Sequence, residues 1–186
     1  MKVIETALPG VLLLEPKRFG DARGFFSESW NRKTLADHGI HTDFVQDNHS
    51  LSSAVGTVRG LHFQAPPSAQ AKLVRCGRGA LFDVAVDIRR GSATFGQAVG
   101  YELSFDNGLQ LLIPEGFLHG FVTRQPDTEI IYKCSDYYDV DADGAVAWDS
   151  CGIDWGLTGD PILSQKDAAA PALANFESPF VYEAAP

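Results

Sequence analysis

The sequence predicts an all-β fold, a sandwich or barrel, with a few short helices. Roughly eight to eleven short extended segments recur along it, separated by Gly, Pro, Asn and Asp turns. The clearest covers residues 82–88, where Phe82, Val84, Val86 and Ile88 alternate with Asp83, Ala85 and Asp87, the pattern of a half-buried strand. No internal repeat, coiled coil, low-complexity tract or linker breaks the chain, so residues 1–186 are expected to form one domain.

In chain order, residues 11–16 read as a short strand ended by Pro16. Residues 19–24 read as a turn-rich loop, and 25–30 as extended. Residues 31–38 fit one short helix, with Asn31 as its N-cap and Gly39 as its stop. Residues 44–50 set two apolar side chains before a dense polar run. Residues 72–76 form a strand closed by a Gly77-Arg78-Gly79 turn. Residues 98–105 and 110–113 flank an Asp106-Asn107-Gly108 turn. Residues 117–122 and 129–134 supply two more strands. Residues 148–161 look irregular, 164–170 suit a short helix or loop, and the tail from Pro171 suits a covering segment or arm.

With 45% hydrophobic and 21% charged residues, the composition is that of an ordinary soluble domain, large enough for a sizeable core. The net charge of −9 argues against non-specific binding of nucleic acid or an anionic membrane. Cys76, Cys134 and Cys151 are widely spaced and odd in number, which fits a reducing cytoplasm better than a disulfide framework. Glu5 and Pro9 stand where a signal peptide needs an apolar core, and no apolar run reaches the roughly 20 residues of a membrane helix. The expected location is the cytoplasm.

The stretch richest in chemistry is Arg59-Gly60-Leu61-His62-Phe63-Gln64. Alternation sends Leu61 and Phe63 to one face, His62 and Gln64 to the other. By itself this fits a half-exposed strand as well as a cavity wall. A metal cage is disfavoured: neither HxH nor HExxH occurs, and Arg59 and Lys72 would repel a divalent ion. A histidine suits proton transfer near neutral pH, a carboxylate can fix its tautomer, and a lysine with a second histidine, His119, can steady an oxyanion. Tyr132 could be the opposing proton donor, or equally a core aromatic with a satisfied hydroxyl. Arg23, Arg59, Lys72 and Lys166 stand singly, and no P-loop or GxGxxG accompanies them.

Longer ordered matches narrow these options. Phe19-Gly20-Asp21-x-Arg23-Gly24-Phe25-Phe26-x-Glu28, residues 44–50, 59–64, 72–76, 83–89 and 113–121, Tyr132-Lys133, Asp136-Tyr137-Tyr138 and Ser164-x-Lys166-Asp167-Ala168 span nearly the whole chain. Together they resemble the dTDP-4-dehydrorhamnose 3,5-epimerases. The resemblance implies a cupin-type jelly roll that works without metal or other cofactor on a dTDP-4-keto-6-deoxy sugar, toward dTDP-L-rhamnose. It makes His62 the base, Asp167 its carboxylate partner and Tyr132 the opposing acid, with Lys72 and His119 at the enolate oxygen. Substrate contacts would come from Arg23, Glu28, Gln46, Asn48, Arg59, Lys72, His119, Tyr138, Asp143 and Lys166. It also implies a homodimer, with Arg23 and Glu28 able to serve the partner's site. Three positions depart from the family pattern: Asp143 replaces glutamate, Leu112 tryptophan and Leu118 alanine. A mono-epimerase inverting only C3 or C5, or a silent sugar-nucleotide binding module, is compatible with the same barrel.

Overall fold

A computed structural model describes residues 1–183. Its larger sheet has six strands in the order β1-β2-β10-β7-β12-β5. These are β1 (Lys2–Glu5), β2 (Leu12–Glu15), β10 (Gln110–Ile113), β7 (Lys72–Arg78), β12 (Thr128–Cys134) and β5 (Gln46–Ser52). The second sheet, β13-β6-β11-β8-β9, comprises β13 (Asp143–Ala145), β6 (Val58–Gln64), β11 (Phe117–Thr123), β8 (Ala80–Asp87) and β9 (Ala98–Ser104). A separate hairpin joins β3 (Arg18–Asp21) to β4 (Gly24–Ser27). Strands distant in sequence lie side by side in both sheets, as the jelly roll requires.

Three apolar clusters hold the layers. Leu13, Val74, Leu111, Ile113 and Ile130 from the larger sheet meet Leu81, Ala85, Leu103, Phe117 and Phe121 from the second sheet in the inner core. Leu61, Phe63, Val84, Val86 and Leu118 face outward from the second sheet, under Val146, Trp155 and Phe180 of the irregular C-terminal third. Leu14, Leu73 and Leu112 lie on the outer face of the larger sheet beneath Leu35 and Ile40. Each fully buried Leu, Val, Ile or Phe contributes about 1.5–3 kcal/mol relative to its exposed state.

Most expected elements are present. The first helix, α1 (Arg32–Ala36), is capped by Asn31, whose side chain accepts from the Thr34 N–H, and Gly39 follows with φ of 78°. The second, α2 (Gln165–Ala168), is capped by Ser164 in the same way. Three readings change. Residues 19–24 are not a loop: they pair as the β3–β4 hairpin, turning at Ala22 and Arg23. Gly77 and Arg78 continue β7 instead of ending it, and the turn falls at Gly79. The strand β8 is not half-buried, because Asp83, Ala85 and Asp87 are as fully covered as Val84 and Val86. A strand between two facing layers has no solvent side. Of the tail from Pro171, the described part to residue 183 is a cover, laid against β6 through Phe176 and Phe180; residues 184–186 lie outside the described residues.

Candidate active site

The strand β6 carries the base candidate, and a local irregularity sets its side chains. Val58, Leu61 and Phe63 all enter the outer cluster, which strict alternation forbids. The register with β11 slips between His119 and Phe121, and Gly60 absorbs the extra residue at φ of 122°. A Cβ on Gly60 would stand 2.7 Å from the Gly120 Cα and 2.8 Å from the His119 carbonyl oxygen. Glycine is therefore required. The slip brings Arg59 and His62 to the same side, where both line a pocket with Ser164, Lys166 and Asp167.

His62 Nε2 lies 2.5 Å from Asp167 Oδ1. The imidazole is 31% exposed and the carboxylate 4%. Burial pulls the Asp167 pKa up, but His62, the Ser164 hydroxyl and the Gly60 N–H outweigh it and hold the carboxyl below its ordinary range. A charged carboxylate of this kind fixes one ring nitrogen as donor and leaves the other for chemistry.

The adjoining cavity, of about 180 Å³, lies between the sheets. His62 reaches it from the second sheet; Gln46, Asn48, Lys72 and Tyr132 reach it from the larger one. Burial pushes the Lys72 ammonium below its ordinary pKa, partly offset by Cys134, Asp143 and Asp83. Burial also raises the Tyr132 phenol, against the contrary pull of Asn48 and Arg59. Tyr138, Asp143 and Lys166 complete the wall: Asp143 accepts from the Tyr138 hydroxyl at 3.2 Å and pairs with the Lys166 ammonium. The shorter Asp143 side chain is thus engaged within the pocket.

His119 lies deeper, its ring 6.4 Å from that of Tyr132. It is the register partner of His62, and its Nε2 lies 2.8 Å from Asp83 Oδ1. Asp83 was not among the sequence-derived site residues. Its signal was an acidic residue inside an apolar run, read there as the wet side of a strand. Gln64 lines the cavity, yet its amide is committed to backbone groups of Ser68, Tyr137 and Asp139 and so ties down the loop carrying Tyr138.

Arg59 and Asp167 line only the first pocket and His119 lines neither, while Arg23 and Glu28 lie apart from both within one chain. Arg23 sits at the tip of the β3–β4 hairpin, its side chain 90% exposed and paired with Asp21. Glu28 accepts from Asn31 before α1. Leu112 and Leu118, the two apolar departures, are buried in the outer clusters, away from the polar cavity.

A family model described as dTDP-4-dehydrorhamnose 3,5-epimerase matches residues 5–175. A protein of that name from Salmonella typhimurium is 54% identical over 176 residues, covering 93% of this chain and 96% of its own. The crystal structure of the Bacillus anthracis enzyme, with TDP and pyrophosphate bound, superposes with a TM-score of 0.90 at 51% identity, covering 92% of this chain and 99% of that one. The dTDP-6-deoxy-D-glucose-3,5-epimerase of Legionella pneumophila, in complex with dTDP-4-keto-L-rhamnose, gives 0.94 at 43% identity, covering 98% and 99%. A barrel with a His–Asp pair facing a lysine and a tyrosine thus matches this family model over most of its length, and the chain belongs to the dTDP-4-dehydrorhamnose 3,5-epimerase family.

Proposed function

We propose that this protein inverts C3 and C5 of dTDP-4-keto-6-deoxyglucose, giving dTDP-4-dehydro-L-rhamnose. One observation supports the chemistry above all: His62, held by Asp167 of α2, enters the cavity from one sheet, while Tyr132 and Lys72 enter from the other. Epimerisation needs a base on one face of the sugar and an acid on the opposite face.

The C4 ketone makes the hydrogens on C3 and C5 acidic. His62 removes one, and Asp167 steadies the resulting imidazolium. Lys72 and His119 stabilise the enolate oxygen; a preorganised donor of this type is worth about 10²–10³-fold. The phenol of Tyr132, kept protonated by its raised pKa, returns a proton from the far face. Nothing in the sequence of steps needs a cofactor, and full turnover is expected after exhaustive chelation.

For the nucleotide, Arg59 and Lys166 suit the diphosphate, since a guanidinium binds two oxygens at once. Gln46, Asn48, Tyr138 and Asp143 surround the path to the sugar. The exposed positions of Arg23 and Glu28 suit a homodimer in which the hairpin completes the partner's site. We read the chain as one catalytic domain working in the cytoplasm. The test is incubation of dTDP-4-keto-6-deoxyglucose in heavy water. Deuterium at both C3 and C5 is expected; label at one carbon makes the protein a mono-epimerase, and none makes it a binding module.

A further inference from the structure

The helix α2 has only four residues, far too few to be stable by itself, yet it must hold Asp167 within hydrogen-bonding reach of His62. Something outside the helix fixes it. On its upstream side, Ile162 exchanges backbone hydrogen bonds with Gly56 and Val58. On its downstream side lies a strap, residues 171–182, whose last part falls beyond the region shared with the family model.

The strap is anchored throughout. The Ala147 N–H donates to the Pro171 carbonyl at 2.8 Å, and the Leu173 N–H to the Ser150 hydroxyl at 2.9 Å. The rings of Phe176 and Phe180 meet Phe63 edge-on, with centroids 5.2 and 6.1 Å away. The chain then bridges Arg90 through Phe180 and Tyr182, and Tyr182 packs under the Arg89 guanidinium. Phe63 is the residue after His62 on β6. One strap therefore grips both partners of the 2.5 Å pair: His62 through the back of its own strand, and Asp167 through the chain that leaves α2.

We propose that residues 171–182 are a positioning element for the His62–Asp167 pair, with Phe180 as its anchoring side chain. The inference rests on the epimerase reading for its kinetic arm alone. Phe180 is 8% exposed and touches no substrate cavity. Its removal lets the strap lift, Phe63 shift and the dyad lengthen, and displacements of about 1 Å at a reacting pair cost on the order of a hundredfold in rate.

The test compares full-length wild type with Phe180→Ala, Phe180→Leu and Leu14→Ala. Leu14 is buried too, but in the cluster on the outer face of the larger sheet. Two readouts are taken well below each variant's Tm: kcat and KM for solvent exchange into the keto sugar, and the NMR resonance of the His62 ring proton shared with Asp167. Phe180→Ala is expected to lower kcat about ten- to a hundredfold with KM nearly unchanged. The shared proton should move upfield or broaden. Phe180→Leu should restore most of both, and Leu14→Ala should leave both in place. A resonance neither shifted nor broadened in Phe180→Ala, or equal kcat losses in Phe180→Ala and Leu14→Ala, would overturn the proposal. If Phe180→Ala does not fold, Phe180→Leu against Leu14→Ala decides by the same two readouts, a partial loss confined to Phe180→Leu being the supporting result. Wild type that shows the ring-proton signal but no exchange defeats the epimerase reading and leaves the strap to the NMR arm.

Discussion

His62 and His119 are register partners on neighbouring strands, and each makes a hydrogen bond to its own buried aspartate. The two pairs differ in depth. His62–Asp167 opens to the cavity, while His119–Asp83 is sealed, its side chains only 8% and 0% exposed. The open pair suits a group that must gain and lose protons, and the sealed pair suits a fixed donor. The opposite sheet supplies Tyr132 and Lys72, so the proposed reaction places proton removal and proton return on different walls of one barrel.

That division predicts separable defects. His62→Ala should abolish exchange at both C3 and C5, a loss of at least about 10²–10⁴-fold. Tyr132→Phe should impair net inversion more than exchange, because His62 can still take a proton and give it back on the same face. Proton NMR of the sugar in heavy water measures both. Wild-type exchange in the histidine variant would remove His62 as the base.

The sealed pair predicts a different phenotype. Asp83→Asn keeps an acceptor of similar shape for His119 but replaces the carboxyl group by an amide. A hydrogen bond to a charged group is worth about 1.5–3 kcal/mol. If His119 acts at the enolate oxygen, kcat should fall roughly ten- to a hundredfold. Substrate affinity should change little, because the ketone carries little charge before reaction. Steady-state kcat and KM on the purified variant decide, and a loss confined to KM would move His119 from the enolate to ground-state binding.

The strand pattern was legible where one period rules and obscure where two layers or a slip intervene. Alternation correctly grouped Leu61 with Phe63, because both side chains enter the outer cluster. It could not put Arg59 beside His62, since that depends on the one-residue slip at Gly60. It gave Asp83 a wet side because no local signal tells a strand covered on one face from a strand covered on both. Asp167 lies 105 residues from His62 along the chain, and only the family resemblance brought it forward. The hairpin of Arg23 was hidden by Gly20, Asp21 and Gly24, turn formers that here pair across a short exposed ribbon.

The slip at Gly60 makes a sharp stability prediction. Gly60→Ala would place its methyl against backbone atoms of His119 and Gly120, where no flexible side chain can yield, at a φ that alanine disfavours. A loss of about 2–4 kcal/mol is expected, with β6 and β11 pushed apart. Since His62 and Arg59 flank this contact, kcat should drop beyond what the lower Tm explains. Urea unfolding and turnover at a temperature where the variant remains folded test both parts. An unchanged unfolding midpoint would mean that the two strands do not approach as closely as described.

Acid stability should depend on Asp87, at the end of β8. Burial alone would raise its pKa. Arg89 donates from Nε at 2.9 Å and from its terminal nitrogen at 2.7 Å, and the hydroxyls of Ser92 and Thr94 donate at 2.6 and 2.7 Å. These donors win, and the carboxyl titrates at about 2. A folded-state pKa below the unfolded value means that the charged form favours folding. The contribution, about 2 kcal/mol, is complete above roughly pH 4 and disappears as pH falls toward about 2. Asp87→Asn also disturbs the five donors, the Arg89 backbone N–H being the fifth, a cost that does not vary with pH. The difference in unfolding free energy between wild type and Asp87→Asn should therefore be flat from about pH 5 to 8 and should shrink by about 2 kcal/mol below pH 4. Urea titrations across that range measure it, and a gap that stays constant down to about pH 2 would show that Asp87 holds no such charge in the fold.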